Sequence, residues 1–283
     1  MKSKIFLLFA SIFSLHLTAF ALSDTLHLQT SAHIIGTELV YKSTLRLDTL
    51  HAPQNAFLEL AVNETLTLSI VNYDSSAHQI SWQDQQGAVW VNPGQTITLS
   101  RVFGSFGTYA LVGTDFMAQH LGASCTILVG MASQHRYIWN LWEMQGPLSA
   151  QLATGQATSF PTIYRPNVFT INGLDYPLNM NDTLGNIMNM LGDSIYISVI
   201  NRGSMPHSLH FHGYHIQIVQ SLLSAQMIGW KKDSVPVLVG DVMLFLLIPD
   251  QTGVYPVHDH ILTANTTAGG YTGGMMTMIE INQ

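Results

Sequence analysis

Short segments of alternating apolar and polar residues run along most of the chain after residue 21, separated by Gly, Asn, Asp and Pro. The sequences Leu66–Ile70 (LTLSI) and Ile195–Val199 (IYISV) show this pattern most clearly. Side chains in a strand point alternately to opposite faces, so a period of two is typical of half-buried β-strands. The pattern predicts an all-β protein.

The strand pattern occurs twice in the chain. Residues 62–83 align without a gap on residues 191–212, which places Asn72 on Asn201 and His78 on His207. Two further matches follow in the same order, residues 107–112 on 253–258 and residues 122–129 on 274–281. Two copies of one β-sandwich unit explain these matches better than a single large sheet. We therefore expect two Greek-key β-sandwich domains in tandem.

The length of 283 residues also favours two domains, since one domain usually has about 100–200 residues. The repeat predicts an N-terminal domain over residues 22–131 and a C-terminal domain over residues 166–283. Residues 132–165 contain the aromatic stretch Tyr137–Trp142. We expect this segment to be a connector that packs between the domains.

Residues 1–21 are typical of a signal peptide. Lys2 and Lys4 precede an apolar stretch, and Ala19-Phe20-Ala21 is a small-x-small cleavage signal. This predicts a periplasmic or secreted protein that is cleaved after about Ala21. No later stretch is long and apolar enough to predict a membrane span. The single cysteine, Cys125, cannot form an internal disulfide, so we expect the core to hold the fold together.

Charge and motifs exclude several classes of function. The formal net charge is −7 and Lys and Arg form no cluster, which argues against a nucleic-acid partner. The sequence contains neither G-x-S-x-G nor a P-loop, so hydrolase and phosphate chemistry have no support. The unusual feature is histidine, because 13 histidines outnumber 10 Lys and Arg and are unevenly distributed.

Two His-x-His pairs distinguish the second copy of the repeat from the first. His210 and His212 end one matched strand and His258 and His260 end another, whereas the first copy has Ser81, Gln83, Val112 and Thr114 at these positions. Residues two apart on a strand share a face, so each pair can point to one site. Imidazole is a ligand of copper, zinc, iron and nickel. We therefore predict a metal site at His210, His212, His258 and His260.

The segment His207–Gly213 (HSLHFHG) resembles the H-x-x-H-x-H-G segment of multicopper oxidases. Phe169–Gly173 (FTING), Gly192-Asp193 and Gly274-Met275 are similar to landmarks of the same C-terminal cupredoxin domain. The resemblance covers the second domain almost throughout and the first more loosely. It implies cupredoxin-like domains, copper as cofactor, and a trinuclear copper cluster served by four His-x-His pairs from two domains. His210, His212, His258 and His260 match four of those eight ligand positions.

The resemblance also places His207 and Met275 at positions of the family's type 1 copper, which is held by two His, one Cys and often an axial Met. Here Asp259 stands where the family has that Cys, and Ala264 stands where it has the second His. Blue-copper electron transfer depends on the thiolate, so we expect no type 1 copper. On a regular strand Asp259 lies on the opposite face from its two histidine neighbours, where it would orient His207 or belong to a relic site.

The sequence thus predicts an exported copper-binding protein of the multicopper oxidase type, with zinc as the alternative metal. Catalysis stays open: an enzyme would be a copper-dependent oxidoreductase without type 1 copper, with an unidentified electron donor or small-molecule substrate. The alternative is a non-catalytic periplasmic copper carrier or a relic cupredoxin interaction module. Two-domain relatives complete their clusters between subunits, but a homotrimer of this chain would supply only the same four histidines at each interface. An ordinary multicopper oxidase mechanism is therefore not supported, and a homo-oligomer stays open.

Overall fold

The computed structural model of the chain describes residues 21–267 and 269–283. The predicted signal peptide, apart from Ala21, lies outside these residues and stays a prediction.

The N-terminal half is built from nine strands and a short helix. They are β1 (Ala21–Ile35), β2 (Glu38–Arg46), β3 (Ala56–Leu60), β4 (Thr65–Asn72), β5 (His78–Trp82), β6 (Val89–Val91), β7 (Thr96–Val102), β8 (Gly107–Gly113), α1 (Phe116–His120) and β9 (Ser124–Val129). They form a four-stranded sheet of order β2-β1-β4-β7 and a five-stranded sheet of order β3-β9-β8-β5-β6.

The C-terminal half repeats this plan. Its elements are β10 (His135–Met144), α2 (Gly146–Ala153), β11 (Val168–Ile171), β12 (Ile187–Met190), β13 (Ile195–Asn201), β14 (His207–Phe211), β15 (Ile216–Ser221), β16 (Lys231–Lys232), β17 (Ser234–Val237), β18 (Val242–Leu247), β19 (Gly253–Asp259), β20 (Thr266–Thr267), β21 (Gly270–Tyr271) and β22 (Met276–Asn282). The two large sheets have the orders β11-β10-β13-β18-β15-β16 and β12-β22-β19-β14-β17, and β20 pairs with β21. The protein is an all-β tandem sandwich, as predicted.

The repeat seen in the sequence extends to side-chain hydrogen bonds. Asn72, at the end of β4, donates to the backbone carbonyls of Ser76 and Val91. Asn201, at the end of β13, donates to those of Met205 and Val237, which lie at the corresponding positions. Each asparagine side chain also accepts from the amide two residues later. Each asparagine side chain therefore provides hydrogen-bond partners for loop backbone groups that would otherwise need water.

Strand β10 lies within residues 132–165, the predicted connector. It pairs in parallel with β13 and antiparallel with β11, as β1 pairs with β4 and β2 in the first half. Trp139 and Leu141 of β10 are fully buried in the C-terminal core. The stretch is therefore the C-terminal counterpart of β1, and its apolar character comes from pairing on both sides and burial.

Four sheet layers are stacked along the molecule. Each sandwich has its own core, and smaller clusters of Ala110, Val112, Ile200 and Val242, and of Leu128, Met131, Ile138 and Leu244, join the two halves. Between them the Thr108 and Ser198 hydroxyls form a buried hydrogen bond of 2.6 Å. The five-stranded N-terminal sheet thus packs on the six-stranded C-terminal sheet. The sheet that contains β14 and β19 is the layer farthest from the N-terminal half.

Within the described residues, no helix is both long enough and apolar enough to cross a membrane.

Candidate metal centre

The four predicted histidine ligands lie at the ends of two neighbouring strands. Strands β14 and β19 run antiparallel, and His210 lies directly opposite His258. Leu209, Phe211 and Val257 point into the C-terminal core. Because side chains alternate along a strand, His210 and His258 point to the outer face of the sheet.

His212 and His260 follow directly after the strand ends and are both exposed to solvent. The four imidazole rings form one group. The centroid of the His210 ring lies 4.7 Å from that of His212, 5.6 Å from that of His258 and 5.3 Å from that of His260. The structure therefore brings all four residues together.

Two of the rings face each other through nitrogens that a metal can use. Nε2 of His212 lies 3.0 Å from Nε2 of His258. Histidine nitrogens bind a metal such as zinc at about 2.0 Å, and two ligand nitrogens 3.0 Å apart fit that distance to a shared ion. A copper ion bound at a similar metal–nitrogen distance fits the same pair of nitrogens.

Two further ring nitrogens of this group are held by the protein. Nδ1 of His258 lies 2.9 Å from the backbone carbonyl of Asp259, which can only accept, so this nitrogen donates and leaves Nε2 unprotonated. Nδ1 of His210 lies 2.8 Å from the Ser234 hydroxyl on β17. Such contacts set the tautomer and orientation of a metal-ligating ring.

Electrostatics favour the neutral, metal-binding form of His212. Partial burial lowers the pKa of His212, and the neighbouring imidazoles of His210, His258 and His260 lower it further. Neutral imidazole is the form that binds metals.

Within the described ranges, no three His, Cys, Asp or Glu side chains converge closely enough to hold an ion without rotation of a side chain. A third ligand to the His212–His258 pair therefore requires His210 or His260 to turn.

The position that the family uses for type 1 copper has a different construction here. His207 is fully buried between two carboxylates: Nδ1 lies 2.5 Å from Oδ2 of Asp259, and Nε2 lies 2.9 Å from Oε2 of Glu143. Burial lowers the pKa of His207, but hydrogen bonds to Asp259 and Glu143 and their charges outweigh it and raise the pKa to about 9. The group is an imidazolium held by two carboxylates.

These residues do not fit a type 1 copper. Both ring nitrogens of His207 are engaged by carboxylates, and Ala264 is fully buried where the second histidine ligand would stand. Met275 is buried in the C-terminal core. Cys125 lies on β9 in the other domain, and burial raises the pKa of its thiol. The donor set contains no thiolate, which blue-copper sites require.

The N-terminal half contains a second buried histidine of the same kind. His78 lies at the start of β5, as His207 lies at the start of β14. Its Nε2 lies 3.0 Å from Asp74 and its Nδ1 lies 3.2 Å from Asp115. Burial lowers the pKa of His78, but the hydrogen bonds to Asp115 and Asp74 and their charges raise it to about 9. Both copies therefore place a carboxylate–imidazolium–carboxylate group at the same point of the sandwich.

The sequence analysis did not find Glu143, Asp74 or Asp115. Glu143 belongs to the apolar β10 and is fully buried. A single carboxylate within an otherwise apolar stretch was the available signal, since buried acids are rare unless paired. Asp115 also caps α1 through the amide of Ala118, so its residue type alone indicated a helix cap.

A comparison with protein-family models supports the interpretation drawn from the residues. Residues 143–280 match the family model described as multicopper oxidase. The C-terminal domain belongs to the multicopper oxidase family. The match begins at Glu143 and includes all four clustered histidines. No curated protein matches the sequence.

Solved structures of copper proteins share the fold of this chain. The blue copper oxidase from Nitrosomonas europaea matches with a TM-score of 0.74 at 19% identity, over 92% of this chain and 86% of that chain. The copper nitrite reductase from the same organism matches with a TM-score of 0.68 at 13% identity, over 93% and 94%. The laccase from Botrytis aclada matches with a TM-score of 0.68 at 11% identity, over 93% and 53%.

Proposed function

We propose that this chain is an exported copper-binding protein of the multicopper oxidase type, which holds copper through His210, His212, His258 and His260. Bound copper would supply one-electron redox chemistry at the outer face of the C-terminal sheet. Zinc, the alternative that imidazole ligands allow, gains no support from the family match.

The observation that carries the proposal is the 3.0 Å separation between Nε2 of His212 and Nε2 of His258. Without an ion this contact is an N–H···N hydrogen bond between two neutral imidazoles, and the same separation lets both Nε2 atoms bind one ion at about 2.0 Å. The backbone carbonyl that fixes Nδ1 of His258, and the Ser234 hydroxyl at His210, support the same role. His210 and His260 are the further ligands, since their rings border the pair.

The ion pairs of His207 with Asp259 and Glu143 limit how this copper can exchange electrons. In the family, a type 1 copper passes electrons to the cluster, and that position is occupied here by an ion-paired histidine. An electron donor would therefore have to approach the histidine cluster directly. The exposure of His212 and His260 permits this approach. If the protein is an oxidoreductase, its donor acts at this face.

A non-catalytic copper carrier is the second candidate function. The observation that favours it is the position of Met276, which lies on β22 directly opposite His258 and on the same outer face. Thioether sulfur is a soft ligand that suits Cu(I). A carrier needs an exposed site from which copper can leave, and this cluster is exposed.

Export rests on the N-terminal residues 1–21, and the proposed location is the periplasm or the exterior. A homo-oligomer is proposed for a geometric reason. The four histidines lie on the layer farthest from the chain's own N-terminal domain, so that domain leaves this face free to contact another subunit.

The first experiment measures copper retained by the mature protein after loading with Cu(II) and desalting. We expect about one tightly held copper per chain, lost in His210→Ala and in His258→Ala. His135→Ala is the matched control, because His135 is exposed and lies outside the cluster. Equal retention in wild type and both cluster variants would contradict the proposed site. If the wild-type protein retains no more copper than a sample that was never loaded, the relic interaction module is the remaining hypothesis.

Oxygen consumption then distinguishes the two functions of a copper-loaded protein. With a phenol or ascorbate as donor, an oxidoreductase consumes oxygen and loses this activity in His212→Ala. A carrier shows no turnover and transfers its copper to a Cu(I) chelator.

A further inference from the structure

Arg202 is a buried cation with no carboxylate partner. It follows β13 and is only 5% exposed. Its Nη2 donates to the backbone carbonyl of Gly113 at 3.0 Å, and its Nε is buried without a hydrogen-bond partner. The described residues provide no carboxylate within ion-pair distance of it, whereas Arg46, Arg101 and Arg136 each have one. A guanidinium has five N–H donors, so most of them lack a protein acceptor.

Burying an unpaired charge is costly, and proteins normally compensate it with a counter-charge and hydrogen bonds. Burial lowers the pKa of Arg202 to about 10, which leaves the guanidinium protonated at neutral pH. The folded protein therefore contains a buried positive charge at Arg202 that an anion would neutralise.

Arg202 also acts on two basic side chains around it. Burial lowers the pKa of Lys42 to about 7, and the charge of Arg202 contributes to that shift. Burial also lowers the pKa of His120, again with a contribution from Arg202. Both contributions have the direction that a buried positive charge at Arg202 produces.

Arg202 lines a pocket of about 210 Å³ between the two domains. The N-terminal domain contributes Gln83, Thr114 and Gln119, and the C-terminal domain contributes Gly203 and Gly240 beside Arg202. The Thr114 hydroxyl is buried without a hydrogen-bond partner. The pocket therefore combines a buried cation, an unused hydroxyl and the exposed Gln119 amide, and has no acidic side chain in its lining.

We propose that this pocket binds a small oxyanion, either a carboxylate or an inorganic oxyanion, with Arg202 as its counter-ion and Thr114 and Gln119 as further donors. Guanidinium groups match the planar arrangement of oxygens in such anions. Since both domains contribute residues, the bound anion also stabilises their contact. This site is separate from the histidine cluster and does not depend on bound copper.

The test measures thermal unfolding and isothermal titration of the metal-free protein with acetate, nitrate and phosphate, each against chloride at equal ionic strength. We expect at least one of the three oxyanions to bind and to raise the unfolding temperature with its concentration. Arg202→Met should weaken this binding at least tenfold. Arg165→Gln, which removes an exposed arginine outside the pocket, should leave it unchanged.

Gln119→Glu keeps the test informative if Arg202→Met does not fold. It places a carboxylate at the pocket, so the variant should be more stable than wild type without anions and should respond less to them. Two results overturn the proposal: an equal response of wild type to chloride and to all three oxyanions, or full oxyanion binding in a folded Arg202→Met.

Discussion

Gly203 leaves the space that the carboxylate of Glu143 occupies. A Cβ atom at position 203 would overlap Oε2 of Glu143, the oxygen that contacts His207. The corresponding residue of the first domain is Asp74, whose amide bonds to Asn72 as that of Gly203 bonds to Asn201. Asp74 itself supplies the carboxylate for His78. The two domains therefore build the same ion-paired histidine with carboxylates from different parts of the chain.

This relationship predicts that the carboxylate can be moved within the C-terminal domain. Glu143→Ala should lower the free energy of unfolding by about 3–5 kcal/mol, because it leaves a buried imidazolium with only one partner. Gly203→Asp combined with Glu143→Ala should recover most of that loss, since it copies the Asp74 arrangement. Urea unfolding of the metal-free protein measures both changes.

Glu59→Ala is the control for this series. Glu59 pairs with Arg136 at a partly exposed site, so its loss should cost about 1 kcal/mol or less. If Gly203→Asp with Glu143→Ala is no more stable than Glu143→Ala alone, the two carboxylate positions are not equivalent.

The paired histidines also predict how stability depends on pH. The pKa of His78 and that of His207 are each raised to about 9 from the ordinary value of 6.5, so the folded state binds these protons more tightly than the unfolded chain. Their contribution is complete below about pH 6.5 and is lost as the pH rises towards 9. By linkage the loss is at most about 3 kcal/mol for each histidine.

Urea unfolding at a series of pH values across this range measures the effect. His207→Gln should reduce the slope, and the exposed His135→Gln should leave it unchanged. A free energy of unfolding that rises between pH 6.5 and 9 is the opposite of what the two ion-paired histidines require.

The hydrogen bond between Ser234 and His210 predicts a measurable effect on copper affinity. The Ser234 hydroxyl holds Nδ1 of His210 at 2.8 Å. Loss of such an orienting contact typically weakens metal binding 10–100-fold. Ser234→Ala should therefore lower copper affinity by about this factor in a competition titration with a chelator. Ser100→Ala, on an exposed position of β7, is the control, and equal affinities of the two variants would remove Ser234 from the site.

Strand alternation and the internal repeat were sufficient to predict the tandem sandwich from the sequence. They also predicted which strand ends meet, because His210 and His258 come from strands that the repeat makes neighbours. The contact between Asp259 and His207 follows from the same alternation, since Asp259 points inward between two outward histidines.

The remaining contacts depend on packing between segments far apart in the chain. Glu143 reaches His207 across 64 positions, and its partner Gly203 is recognisable only once both carboxylate positions are known. Arg202 was not distinguishable from a surface arginine, because its burial results from the docking of the two domains. Residues whose roles arise from one local strand pair were predictable, and those whose roles arise between sheets were not.

The most direct test of the account is the electron paramagnetic resonance and optical spectrum of the mature protein loaded with Cu(II). We predict a type 2 copper spectrum with nitrogen coupling, no intense blue absorption, and loss of the signal in His210→Ala and His258→Ala. An intense blue absorption would contradict the assignment of His207, Asp259 and Glu143 as an ion-paired group in place of a type 1 copper.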